Sequence, residues 1–240
     1  TLHNLPWIIE HGGDAYAKFG YGESRGTKAV SLNSRVKKPG LYEVELGTTI
    51  RQLIWDHAGG MADGQKFKAV QVGGPLGGIF PEKLLDTPLD FEAMASARGL
   101  LGHAGVVVYS TEDDLIEMGR WLMEFCAIES CGKCFPCRIG AVRGTELIEQ
   151  IMELRDGKAA RHSRESGNPV TAGVAGHSPA LVVSGSGIGT QNSAADRKAQ
   201  KMALLGELCE TMKYGSLCAL GGAIPTPIEN LLEYFPEEWE

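Results

Sequence analysis

Three of the six cysteines fall within seven residues. Cys131-Gly-Lys-Cys134-Phe-Pro-Cys137 places a thiol at every third position. Two-residue spacers let three thiolates converge on one small object, and this spacing matches the first three ligands of a bacterial-type iron–sulfur run. Gly132 permits close backbone approach. Nearby N–H groups and the charge of Lys133 would stabilise a net negative cluster. In such a run the fourth cysteine usually follows three residues after the third. Position 141 is alanine, so a fourth ligand has to come from elsewhere in the chain.

Three cysteines compete for that role. Cys126 lies on the apolar stripe Leu115-Met118-Leu122, and Cys209 lies on the stripe Met202-Leu205-Met212. Both read as small buried hydrophobes, a common fate of free cysteine. Cys218 sits among flexible residues in Tyr214-Gly-Ser-Leu-Cys-Ala-Leu-Gly-Gly222, just past a helix end. A loop cysteine can turn toward a cluster, so Cys218 is the favoured fourth ligand of a [4Fe-4S] centre with Cys131, Cys134 and Cys137. Other readings stay open. Cys126-x4-Cys131-x2-Cys134 with a distant partner would be a plant-type [2Fe-2S] pattern, at the cost of leaving Cys137 idle. Structural zinc is another reading, although zinc usually shows two separated Cys/His pairs. Unligated thiols are the bland reading.

Composition narrows the class. The 240 residues suffice for one large domain or two small ones, and 43% are apolar. A net charge of −7 argues against a partner bound through nucleic-acid phosphates. No apolar run approaches the roughly 20 residues that span a bilayer, and no leader is visible. This predicts a cytoplasmic protein, where clustered cysteines mean metal or redox chemistry rather than disulfides. The chain begins at Thr1 and reads as part of a longer polypeptide.

Periodicity supplies the elements that must hold these thiols. Residues 1–26 form a Gly-rich lead-in with one apolar stretch, Pro6-Trp-Ile-Ile9. Alternation predicts strands over Lys28–Asn33, Tyr42–Leu46, Lys68–Val72 and Gly105–Tyr109. Thr48 or Thr49 caps a short helix carrying Ile50, Leu53 and Ile54, which ends at Gly59-Gly60. This mixed module over 27–109 is compatible with a β-grasp. Ser110 and Thr111 ahead of Glu112-Asp-Asp114 read as a helix start. One helix then carries Leu115, Met118, Leu122, Phe125 and Cys126. A second carries Ile139, Val142, Leu147, Ile148, Ile151 and Met152, and a third carries Met202, Leu205, Cys209 and Met212. Together these predict a helical bundle over 110–240. Within it, residues 157–196 are dominated by Gly, Ser and Ala and hold no aromatic residue. They read as a disordered insertion, and Arg161–Pro169 resembles translated dispersed repeats. His162 and His177 within it are poor candidate ligands. Gly73-Gly-Pro-Leu-Gly-Gly78 is neither a dinucleotide fingerprint nor a Walker loop, and reads as a tight turn. Glu129 and Arg138 flank the cysteine triple as tuning or solvating charges. His103 reads as structural. No catalytic residue can be assigned.

Glu129-Ser-Cys-Gly-Lys-Cys-Phe-Pro-Cys-Arg138 closely resembles the cluster motif of the NADH-binding, flavin-carrying subunit of respiratory complex I (the 51-kDa type). The same subunit type recurs in NAD-linked hydrogenases and NAD-dependent formate dehydrogenases. Val72-Gly-Gly-Pro75 resembles that family's soluble-ligand-binding β-grasp (SLBB) signature. Thr1-Leu-His-Asn-Leu-Pro-Trp-Ile8 resembles the stretch after its flavin motif. The resemblance implies an α+β chain: a β-grasp domain (27–109), then a helical bundle with Cys131, Cys134, Cys137 and Cys218 on a [4Fe-4S] cluster. Residues 1–26 would be the tail of an absent flavin- and NADH-binding domain. NADH would reduce FMN, and the cluster would relay single electrons. The implied partners are a [2Fe-2S] thioredoxin-like subunit and a larger catalytic or iron–sulfur subunit, with no direct membrane insertion. A complex I member would be peripheral to the inner membrane. Cys218 lies 81 positions after Cys137, about twice the family's spacing, and removing 157–196 restores it. Cys137-Arg-Ile-Gly140, Met212–Gly222 and Phe235-Pro-Glu-Glu238 look most like the formate dehydrogenase β subunit. The complex I subunit and the hydrogenase diaphorase are the alternatives. A zinc-bound docking module or a decayed fragment are readings of another class.

Overall fold

The computed structural model describes residues 2–157 and 193–240. The histidines at 162 and 177 and most of the predicted insertion lie outside the described residues. Ser193 caps the helix that follows, with Ser193 and Asp196 exchanging the two hydrogen bonds of a capping box.

The lead-in is more ordered than its glycines suggest. It forms α1 (Leu5–His11), α2 (Gly13–Tyr16) and a ribbon of β1 (Gly20–Tyr21) and β2 (Ser24–Arg25). The rings of Trp7, Tyr16 and Phe19 pack together there. A five-stranded sheet follows: β3 (Thr27–Leu32), β4 (Gly40–Glu45), β5 (Phe67–Val72), β6 (Gly78–Phe80) and β7 (Gly105–Ser110). Its order is β4-β3-β7-β5-β6. The central pair β3–β7 is parallel, with Ser31 opposite Gly105, and the other neighbours are antiparallel. Each predicted strand lies within one or two residues of an observed one. Strand β6 was not foreseen, because three residues are too few to show alternation.

Side chains alternate across the sheet as the pleat requires. Val70, Val72, Val106 and Val108 face one core, with Ile50, Leu53, Ile54 and Met94. Ala69, Ile79 and Tyr109 face the other, which continues into the helices. This explains the unbroken Val106-Val107-Val108 run: β7 is covered on both faces. The first core is closed by α3 (Ile50–Gln52), extended by a π-helical turn over Leu53–His57, and by α4 (Phe91–Ser96). Thr49 caps α3, paired with Gln52 in a capping box.

The turn between β5 and β6 is fixed by its first glycine. Gly73 has φ +104°, and a Cβ there would stand 2.2 Å from Leu100 O. Backbone strain and a backbone clash coincide. Gly73→Ala is therefore expected to cost roughly 2–5 kcal/mol, read as a lower urea midpoint at unchanged m.

The second half packs α5 (Leu115–Glu129), α6 (Phe135–Arg155), α7 (Ala194–Gly215), α8 (Ala219–Ala223) and α9 (Pro225–Tyr234). Helix α6 is central, touching α5, α7 and α8. The predicted start of α5 is corrected: its cap is Asp114, whose carboxylate accepts the N–H groups of Ile116 and Glu117 at 2.9 and 3.1 Å. Ser110 instead binds Asp113 in the preceding turn. Two predicted core residues, Phe125 and Val142, are exposed, while Ile116, Met123 and Ala141 are buried in their place. Other members of those stripes, among them Leu115, Leu122, Cys126, Ile148 and Ile151, are buried as predicted.

Sheet and bundle are joined by polar contacts as well as by the shared core. Asn230 is fully buried; its Oδ1 accepts from the Ile79 N–H at 2.9 Å, and its Nδ2 donates to Arg98 O at 3.3 Å. Among the described residues no helix is long and apolar enough to cross a membrane.

Candidate metal centre

The predicted site residues come from three places. Cys131 is exposed in the loop between α5 and α6. Cys134 is half-buried and caps the start of α6, and Cys137 is buried in that helix's first turn. Cys218 is exposed and caps the start of α8. Pro136 suits the first turn of α6, where an N–H would have no partner. Gly132 takes the left-handed φ of +74° that the bend between the first two cysteines needs.

These thiols act on one another. Burial raises the Cys137 thiol above its usual range, a hydrogen bond with Ser130 counters it, and Cys134, Cys218 and Cys131 push it up further. Cys137 thus has the thiols of the α5–α6 loop, of the start of its own helix and of the start of α8 as neighbours. Cys134 moves the other way, lowered by the backbone N–H groups of Leu217 and Cys137, which point at its sulfur. Leu217 belongs to the Cys218 loop, so that loop supplies both a thiol and a donor to the triple.

The rejected candidates differ electrostatically. Burial pushes the Cys126 thiol up to about 12, with Cys137 and Glu129 adding to it. Burial likewise pushes the Cys209 thiol up to about 12, with Glu229 and Lys213 as its charged neighbours. Neither thiol has all of the other candidate cysteines as neighbours, whereas Cys137 has Cys134, Cys218 and Cys131 beside it. Their burial, at 1% exposure each, agrees with the stripe argument. Cys126 nevertheless lies near Cys137, a proximity that periodicity alone does not reveal.

Among the described residues, no three His, Cys, Asp or Glu side chains converge closely enough to hold one metal ion. Lys133, Glu129 and Arg138 are exposed, with the Arg138 guanidinium lying against Gly132. The His103 Nδ1 accepts the Gly105 N–H at 3.1 Å. Sequence reasoning passed over two serines. Ser130 Oγ lies 3.2 Å from Cys137 Sγ. Ser216 lies beside Cys134 and favours its thiolate, yet its buried Oγ completes no hydrogen bond. The only signal for either was nearness in sequence to a cysteine.

The model of the NADH-ubiquinone oxidoreductase-F iron-sulfur binding region matches residues 117–175 and 188–240. The SLBB domain model matches residues 34–80. The chain is 33% identical over 240 residues to the NADP-reducing hydrogenase subunit HndC of Solidesulfovibrio fructosivorans, covering 100% of this chain and 41% of that protein. It is 40% identical over 151 residues to the F subunit of the Escherichia coli NADH-quinone oxidoreductase, covering 63% of this chain and 34% of that one. A chain in the crystal structure of an NAD+-reducing [NiFe]-hydrogenase in the H2-reduced state shares the fold. Its TM-score is 0.73 at 24% identity, covering 100% of this chain and 34% of that chain. The chain thus spans about a third to two fifths of the length of these relatives.

Proposed function

This chain belongs to the family of NADH-ubiquinone oxidoreductase F subunits, the 51-kDa type, and corresponds to their C-terminal part; on that premise we propose that it carries one [4Fe-4S] cluster on Cys131, Cys134, Cys137 and Cys218. The carrying observation is that all four cysteines lie in the residues matched by the iron-sulfur binding region, 117–175 and 188–240. The donor set fits such a cluster. Each thiolate would bind its own iron, so the set can be spaced more widely than ligands of a single ion. The unpartnered Ser216 hydroxyl and the two N–H groups at Cys134 suit a negatively charged occupant. When bound, the cluster supplies one-electron transfer. Cys137 anchors it to α6 from the bundle interior, while exposed Cys131 and Cys218 leave one side open toward a partner.

The proposed role is the electron-relay portion of a diaphorase-type subunit within a larger oxidoreductase. FMN and NAD(H) would bind to the part of the subunit that this chain does not span. The proposed partners are a [2Fe-2S] thioredoxin-like subunit and a larger catalytic or iron–sulfur subunit. Residues 27–109 would form a β-grasp SLBB domain, a reading supported by the parallel central pair and the hairpin on each side of it. For the parent complex, the short motifs favour an NAD-dependent formate dehydrogenase, whereas the relatives named above belong to hydrogenase and NADH-quinone oxidoreductase. One of those motifs has a structural task here: Phe235 is buried, and Glu238 pairs with Lys68 at 2.8 Å. It therefore reports packing as much as partnership, and the step common to all three complexes is the reading best supported.

Anaerobic loading with iron and sulfide tests this. The expected result is brown protein with about four irons per chain and an EPR signal after one-electron reduction. Colourless protein that takes up zinc instead would overturn it.

A further inference from the structure

The cluster reading leaves two hydroxyls without a task. Ser130 ends α5 and Ser216 ends α7, so two separate helices each stop at a serine beside a candidate ligand. Ser130 Oγ lies 3.2 Å from Cys137 Sγ and accepts the Gly132 N–H at 3.3 Å. With that N–H on one lone pair, the hydroxyl proton is free to point at the sulfur. Ser216 Oγ is the one buried side-chain N or O atom without a hydrogen-bond partner among the described residues. Leaving a buried hydroxyl unpaired is costly, so an acceptor at the site is expected. Gly221 leaves room for the serine: a Cβ there would stand 2.4 Å from Ser216 Oγ and 2.8 Å from Cys137 Cβ.

We infer that Ser130 and Ser216 are positioning residues whose hydroxyls donate to the sulfurs of Cys137 and Cys134 and raise the cluster's reduction potential. This rests on the cluster assignment above. Reduction adds one electron and one negative charge to the four-thiolate assembly. No bond forms or breaks, and each serine keeps its proton. A hydrogen bond to the more negative state is the stronger one, so the donors stabilise the reduced form, one of the levers that set such potentials. The two hydroxyls come from different helix ends.

The test is a potentiometric EPR titration of the full chain loaded with iron and sulfide, with dithionite as the electron donor. Ser216→Ala, Ser130→Ala and the double variant are compared with the unaltered protein, and Ser216→Thr restores a hydroxyl. Each alanine is expected to shift the reduction equilibrium about three- to tenfold toward the oxidised form, the upper figure being 59 mV for one electron. The double variant should shift further and the threonine variant return toward the starting value, all at full iron content. Unchanged potentials in iron-replete variants overturn the tuning role and leave the cluster assignment standing. Loss of iron from the alanine variants shows a structural role instead and also overturns it. Absence of any cluster in the unaltered protein overturns the assignment and this inference together.

Discussion

Cys218→Ser is expected to abolish the cluster, leaving far fewer than the about four irons per chain that the unaltered protein takes up. Serine is nearly isosteric, and Cys218 is exposed at the cap of α8, so the helices should keep their circular dichroism and stability. What is lost is a ligand: a serine hydroxyl does not ionise as a thiol does. Cys209→Ala and Cys126→Ala should behave oppositely. Each removes a sulfur from the buried core, with a penalty on the order of 1 kcal/mol, and each should keep its iron. The contrast is informative because all three residues were candidates on spacing alone. A Cys126→Ala protein that loses its iron, beside a Cys218→Ser protein that keeps it, would move the assignment to the plant-type set.

Trp239→Ala is expected to be the most destabilising single change in the bundle, at about 3–5 kcal/mol. The indole is 1% exposed, lies in the core shared by sheet and helices, and donates from Nε1 to Leu231 O at 3.2 Å. Its turn, Pro236–Trp239, crosses the start of α5 and the end of α6. Arg155 at the end of α6 reaches both Asp114, the α5 cap, and Glu238 O, and Lys68 on β5 pairs with Glu238. Truncating the ring would therefore loosen four elements together. Chemical unfolding should show a lower midpoint at similar m, and iron loading should suffer as α6 loses support. An unfolding free energy within about 1 kcal/mol of the parent would show that the turn packs only passively.

The cysteines were readable because ligand chemistry restricts residue type and spacing so tightly. The triple named the chemistry, and helical periodicity removed Cys126 and Cys209. The four longer strands were readable from alternation, and α3 from Thr49. What stayed hidden was set by tertiary context. Strand β6 is too short to show a pattern and exists because β5 and Asn230 hold it. Phe125 and Val142 matched a stripe by residue type, yet the close approach of α5, α6 and α7 placed them outside. Asp114 displaced the earlier Ser and Thr as cap because Ser110 was already committed to Asp113. Ser130 and Ser216 matter through neighbours brought close only by the folded chain.

The sheet's wiring sets an order of events during synthesis. Strand β3 must wait for β7, since Ser31 pairs with Gly105, and such non-local closure is slow. Yet all seven described strands precede Cys126, the first cysteine. A growing chain can therefore complete its sheet before any of these six thiols has left the ribosome, and the helices that carry them then condense on a finished platform. The hazard lies in the interval between. Until α5 and α9 arrive, Ala69, Ile79 and Tyr109 present a bare apolar face, open to association with other chains.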